Sequence, residues 1–157
     1  MPMDEDADIN DDEFLPTDTV TERWGEAADA GFIPFPNALV RAQATLELTA
    51  NDMVVILNIL LHWWHRDRLP HPRSTAIAKR SGLGHRTVQR SLSNLERQGL
   101  IARVRGPKGK AQYDLTGLRD ALARQARRDV WYRPEVVRKR PSGRETRAGA
   151  GLQNPNP

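Results

Sequence analysis

The residues best suited to chemistry in this chain are hydrogen-bonding side chains in the segment SGLGHRTVQRSL, residues 81–92. Two glycines predict a sharp turn, and the residues after it follow the i, i+3, i+4, i+7 spacing of one buried helix face: Val88, Ser91, Leu92 and Leu95. Polar side chains lie on the other side of this helix: Arg86, Arg90, Ser93 and Arg97, with His85 and Gln89 on a flank. Guanidinium and amide groups form directional hydrogen bonds, so the pattern predicts recognition of something outside the fold.

Positive charge is concentrated around this segment. Residues 66–110 contain twelve Lys or Arg and two acids, Asp67 and Glu96, a net charge of +10, whereas residues 1–22 contain nine acids and no base. A dense cluster of one sign is typical of a protein that binds a polyanion, most commonly nucleic acid. The solvated surface of an ordinary basic protein explains the same charges, and charge alone leaves both interpretations open.

Length and composition favour one small domain. The chain has 157 residues with long polar ends, and about ninety residues in the middle are expected to pack tightly. The absence of cysteine excludes disulfides and thiolate metal sites and favours a reducing compartment. The acidic first residues do not resemble a secretory signal, and the longest apolar run, residues 53–64, is too short to span a bilayer. We expect a cytoplasmic protein without membrane contact.

Helix signals divide the first half of the domain. Trp24 is expected to anchor it, and Pro36 opens a short helix with three residues facing inward: Ala38, Leu39 and Val40. Thr49, three residues before Asp52, predicts the N-cap of an apolar helix that runs to about His65. Such a helix must be buried on more than one side, either as the central core helix or as half of a dimer interface.

Two more helices and a hairpin are predicted after a proline-containing connector. Ser74 or Thr75 caps a short helix that ends at Gly82. Gly84 is the N-cap of the next helix, residues 85–98. Alternating residues on either side of the loop GPKGK then predict a basic hairpin over residues 101–115.

The rest of the chain is assigned to one helix and two tails. Thr116 is expected to cap a helix over residues 116–132 with a narrow apolar stripe: Leu118, Ala121, Leu122 and Ala126. Residues 1–23 are predicted to form a disordered acidic tail and residues 133–157 a disordered basic tail, because neither can bury enough apolar surface to order itself.

The order of these elements resembles the winged-helix branch of helix-turn-helix domains. The stretch AIAKRSGLGHRTVQRSLSNLERQGLI, residues 76–101, is similar to the helix-turn-helix of phage and plasmid replication initiators and of many bacterial regulators. The resemblance implies a mainly α fold with a small β-hairpin, a winged helix-turn-helix domain over residues 24–115. Two positions depart from the family pattern, since Arg73 replaces a common capping Ser and Gly84 replaces a Ser or Asp cap.

The resemblance also implies which residues contact DNA. It places the recognition helix, residues 85–98, in the major groove, where Arg86 would pair with guanine and Gln89 with adenine. The other expected base contacts are Arg90, His85 and Thr87, the last with a phosphate or a thymine methyl. The expected backbone or minor-groove contacts are Arg73, Thr75, Lys79, Arg80, Arg103, Arg105, Lys108 and Lys110.

The predicted function is sequence-specific binding of double-stranded DNA, as a transcriptional regulator in the bacterial cytoplasm or nucleoid. The alternatives are a replication initiator of a phage or plasmid type mobile element and a winged-helix recruitment subunit of a larger assembly; a homodimer is also open. We expect no enzyme activity, cofactor or metal, because no phosphate-binding loop, nucleophile with its base, or metal cluster is present. His62, His65 and His71 are interpreted as structural residues, and Trp63 and Trp64 as core and rim packing.

Overall fold

The computed structural model describes residues 19–129. The predicted basic tail, most of the predicted acidic tail and the end of the predicted C-terminal helix lie outside these residues. The described part is mainly helical, as expected, and contains six α-helices and one two-stranded hairpin: α1 Val20–Trp24, α2 Asn37–Arg41, α3 Ala50–Leu60, α4 Ser74–Ser81, α5 His85–Arg97, β1 Ala102–Arg105, β2 Ala111–Asp114 and α6 Thr116–Ala126. Two short 3₁₀ turns, Gly25–Ala28 and Pro107–Gly109, complete it.

Two helices begin with capping boxes. The Thr49 hydroxyl accepts from the Asp52 backbone N–H at 3.1 Å, and the Asp52 carboxylate accepts from the Thr49 N–H at 3.0 Å, so the predicted N-cap of α3 is confirmed. Thr19 and Glu22 form the same pair at the start of α1. The predicted boundary of the acidic tail at residue 23 is therefore wrong, since a local cap makes residues 20–24 helical despite their polarity.

The end of α3 also differs from the prediction. The helix stops at Leu60 rather than near His65, because the following amides bond three residues back: His62 N–H to the Ile59 carbonyl and Trp63 N–H to the Leu60 carbonyl, each at 3.0 Å. This 3₁₀-like turn leads into the connector before α4. No helix within residues 19–129 is long and apolar enough to cross a membrane.

The core lies where α3 and α5 pack together, with α4 and the hairpin closing it. Its largest fully buried side chains are Leu39, Ile56, Ile59, Ile77, Leu92 and Leu95. Three large apolar residues expected to pack are instead exposed: Trp24 by 67%, Val40 by 50% and Trp64 by 74%. Each lies on a short helix or in a connector, where only one side of the chain can face the core. Trp63 is also exposed, by 37%, and lines an apolar pocket together with Leu39 and Leu118.

The hairpin has the predicted antiparallel form. Ala102 pairs with Asp114 and Arg103 with Tyr113. The Tyr113 N–H also donates to the Pro70 carbonyl at 2.9 Å, which fastens β2 to the connector before α4. Because the Tyr113 side chain is only 2% exposed, the hairpin is a fixed part of the core rather than a loose arm.

The last helix starts one residue earlier than a Thr116 cap requires. Leu115 is its N-cap and Thr116 is already helical, while the Asp114 carboxylate accepts from the Thr116 N–H at 2.8 Å. The Leu118 N–H donates to the Leu100 carbonyl at 2.7 Å, so α6 docks directly on the backbone that follows α5. The helix ends at Ala126, short of the predicted residue 132, and the backbone continues as a turn.

His62 is held in an environment that opposes its charge. Its Nε2 is buried and has no hydrogen-bond partner in the described chain. Burial lowers the pKa of His62 below its ordinary value of 6.5, and the neighbouring Arg80 and His71 charges lower it further. The folded state therefore binds a proton at this site less readily than the unfolded chain.

We expect acid to destabilise the domain through His62. Because the folded pKa lies below the unfolded one, this contribution to stability is complete above about pH 6.5 and declines as pH falls below it. Melting temperatures measured between pH 7.5 and 5.5 should fall less in His62→Gln than in the wild type. The exposed His65→Gln variant is the matched control, and its melting temperature should fall as much as that of the wild type. An identical fall in all three proteins would contradict the assignment.

Candidate nucleic-acid interface

The turn between α4 and α5 has the geometry that its two glycines predict. Gly82 takes a left-handed conformation, with φ +73°, at the C-cap of α4. Gly84 is extended and forms the N-cap of α5. Leu83 lies between them, half-buried and packed against the core, so the turn is fastened from the inside. This arrangement fixes the direction of α5 relative to α4.

The exposed face of α5 has Arg86 at its centre. The predicted stripe is confirmed, since its four members are buried: Val88, Ser91, Leu92 and Leu95. At about 100° per residue, Arg86 lies almost opposite the middle of that stripe. Arg90 is exposed one turn further along the same face. The guanidinium groups expected to read bases therefore point away from the core.

One flank of α5 faces the start of α4 and carries a polar cluster. The Ser74 Oγ lies 2.9 Å from Gln89 Nε2 and 3.0 Å from His85 Nε2, and the last two atoms are 3.3 Å apart. Neither Ser74 nor Thr75 caps α4, contrary to the prediction; Arg73 is its N-cap and supplies no side-chain bond. The Ser74 hydroxyl instead lies within hydrogen-bond distance of two side chains of α5.

A cleft of about 420 Å³ separates this flank from the hairpin. Three predicted backbone-contacting cations line it: Arg73, Arg103 and Lys110. They come from the connector, β1 and the loop before β2, and they share the cleft with Thr75 and Gln89. Cations from distant parts of the chain that converge on one opening next to a helix terminus form an environment suited to phosphate.

The opposite flank of α5 borders the start of α3. A groove of about 630 Å³ is lined there by Thr87, Arg90 and Arg97. On its floor the Asp52 carboxylate, 1% exposed, accepts from the Asn94 amide at 3.0 Å while it caps α3. Thr87 and Arg90 are thus separated from Gln89 by the breadth of the helix, with Arg86 between them.

Two predicted phosphate contacts are occupied within the protein. Arg103 pairs with Glu96 at 2.7 Å and also donates to the Ser93 hydroxyl at 3.3 Å, which ties β1 to α5. Arg80 donates to the side-chain amide oxygen Oδ1 of Asn58 at 3.0 Å and so bridges α4 to α3. Each would have to exchange or share its partner to bind a phosphate.

The remaining predicted cations are exposed: Lys79, Arg105 and Lys108. Lys108 lies at the tip of the hairpin with φ +58°, a left-handed conformation that turns the chain sharply. Lys79 lies on the outer side of α4. Of the hairpin and α4 cations that are exposed, Lys110 also lines the cleft.

Comparison with known families agrees with this geometry. Residues 46–101 match the family model of a helix-turn-helix domain, which covers α3, α4, the glycine turn and α5. Residues 46–101 form a helix-turn-helix domain. The two-stranded antiparallel hairpin that follows is consistent with a winged helix. A comparison with curated proteins found no match.

The helix-turn-helix domain supports DNA binding. In such domains the second helix of the motif enters the major groove, and here that helix is α5. The individual contacts assigned to Arg86, Gln89 and the other site residues stay predictions. The domain match ends at Ile101, so the wing belongs to the fold but lies beyond the matched segment.

Sequence reasoning missed the residues that hold the helix-turn-helix surface in place. The sequence pattern indicates Ser74 only as a cap, and it indicates no role for Asn94 or Glu96. Their partners are 15, 42 and 7 residues away along the chain. The spacing of His85 and Gln89, four residues apart on one helix, was the available signal that they share a flank.

Proposed function

We propose that the protein is a sequence-specific double-stranded DNA-binding protein that acts as a transcriptional regulator rather than an enzyme. The observation that carries this proposal is the position of Arg86, exposed at the centre of the outer face of α5 and flanked by the polar side chains Gln89 and Arg90. A guanidinium group in that position matches the O6 and N7 acceptors of guanine. A regulator needs only to occupy its site, and this surface requires no cofactor.

The test is selection of bound sequences from a random double-stranded DNA library at near-physiological salt with competitor DNA. An enriched motif supports sequence-specific binding, and its symmetry reports whether a dimer reads it. A motif that maps to promoter regions supports regulation. A motif that maps only to clustered repeats at a replication origin would favour initiation instead, and no enrichment would overturn the proposal.

Arg86→Ala should remove the preference at one guanine of that motif. Loss of a bidentate contact is expected to cost about 1–3 kcal/mol of discrimination at that base pair and little elsewhere. Arg124→Ala, which removes an exposed arginine from α6, is the matched control and should leave the motif unchanged. Uniform weakening across all sequences by Arg86→Ala would show a phosphate contact instead.

A further inference from the structure

We propose that Ser74 sets part of the base preference of α5 by holding the Gln89 amide with its nitrogen inward and its oxygen toward DNA. This inference rests on the proposed function, because it concerns how the same surface distinguishes bases. Ser74 is itself not expected to touch a base. It is a positioning residue that acts through Gln89.

The supporting contacts join two helices. Ser74 is the first residue of α4, and its Oγ lies within hydrogen-bond distance of two α5 side chains, Gln89 Nε2 at 2.9 Å and His85 Nε2 at 3.0 Å. Gln89 is half-buried and lines the cleft between α4, α5 and the hairpin. The three side chains form a closed triangle at the edge of the surface that faces DNA.

The chemistry of the three groups assigns their roles. The Gln89 amide nitrogen can only donate, so one N–H bonds to the Ser74 oxygen, and the other makes a longer, bent contact with His85 Nε2. The Ser74 hydroxyl proton points to the same lone pair of His85 Nε2, which accepts a three-centre hydrogen bond and leaves the imidazole proton on Nδ1. Gln89 Oε1 makes no hydrogen bond to any part of residues 19–129.

This arrangement changes what Gln89 can read. Bidentate pairing with adenine needs the amide nitrogen to donate to N7 while the oxygen accepts from the N6 amino group. With both amide protons directed inward, Gln89 offers an acceptor alone. In the major groove the donors that match an acceptor are the N6 amino group of adenine and the N4 amino group of cytosine. The wild-type protein should therefore accept adenine or cytosine at this base pair and disfavour guanine and thymine.

The experiment is selection from a random double-stranded DNA library with the full-length protein and its variants. Gln89→Ala identifies the base pair by removing its preference. There the wild type should enrich adenine and cytosine over the other two bases by about fivefold, as expected for one hydrogen bond. Ser74→Ala frees the amide, so adenine should gain about fivefold over cytosine at the same base pair.

Two further variants separate positioning from a general loss of structure. Ser74→Thr keeps the hydroxyl and should retain the wild-type pattern. Ser81→Ala removes a hydroxyl from the other end of α4, where it donates to the Ile77 carbonyl and accepts from the Leu83 N–H, and should also leave base preferences unchanged. In the free protein near pH 8, where an ordinary histidine is neutral, imidazole ¹⁵N shifts should place the His85 proton on Nδ1.

The proposal is overturned by an unchanged preference in Ser74→Ala, by wild-type selection of adenine alone, or by a His85 proton on Nε2. Each of these results leaves sequence-specific binding by α5 intact. The absence of any enriched sequence with the wild type overturns the proposed function and this inference together. The two failures are thereby distinguished.

Discussion

Raising the salt concentration from about 50 to 200 mM should weaken DNA binding by about 10³ to 10⁴ fold. Each phosphate that a Lys or Arg neutralises releases counterions and adds about 0.9 to the slope of log affinity against log salt. Five predicted backbone-contacting cations are exposed: Arg73, Lys79, Arg105, Lys108 and Lys110. Two more, Arg80 and Arg103, would have to share their partners within the protein.

Single variants make the salt prediction specific. Lys108→Ala and Lys110→Ala should each reduce the slope by about 0.9 without changing the selected motif. Arg119→Ala, which removes a charge of the same sign from α6, should leave the slope unchanged. Affinity measured by fluorescence anisotropy over a salt series gives all four slopes. A flat response in the wild type would show that these cations do not contact phosphate.

Gly117→Ala should destabilise the domain by about 2–4 kcal/mol. A Cβ at this position would overlap the Gly99 carbonyl oxygen and lie 3.3 Å from Leu100 Cα. Both obstacles are backbone, which cannot rotate away as a side chain can. The Leu118 N–H bond to the Leu100 carbonyl, 2.7 Å long, leaves α6 no room to shift without breaking it.

Thermal denaturation measures this effect, with an expected decrease in melting temperature of about 10–25 °C for a domain of this size. Gly84→Ala is the matched control, because Gly84 has φ −62° and the nearest heavy atom to a Cβ there, Thr87 Oγ1, is 3.8 Å away. It should lose less than about 1 kcal/mol. Equal melting temperatures for Gly117→Ala and the wild type would contradict the docking of α6 on residues 99–100.

Local signals in the sequence were sufficient to predict where several elements begin and which of their faces are buried. The Thr49 cap of α3 and the buried stripe of α5 are confirmed because both depend on residues within one or two turns of each other. The outward position of Arg86 follows from that stripe. The wing was also predicted, since alternation around GPKGK is a local pattern.

Features that depend on a competing local partner, on helix length or on distant residues were not predictable. Thr116 is a residue type that often caps helices. In the structure its backbone N–H instead donates to the Asp114 carboxylate. Apolarity suggested that Trp24 anchors the domain, yet a five-residue helix leaves it exposed. Ser74 is also a residue type that often caps helices. Only the packing of α4 against α5 shows that its hydroxyl oxygen accepts a hydrogen bond from Gln89.

The Asp52 carboxylate makes the core and the DNA-facing helix one cooperative unit. It caps α3 and also accepts from Asn94 on α5, while nearly all of its surface is buried. If the first turn of α3 frayed by itself, α5 would lose a hydrogen bond; if α5 moved by itself, a buried carboxylate would lose a donor. Because a buried, under-bonded carboxylate is costly, local opening of either helix is suppressed unless both open. The rigidity of the DNA-facing surface is thus set by a residue on another helix.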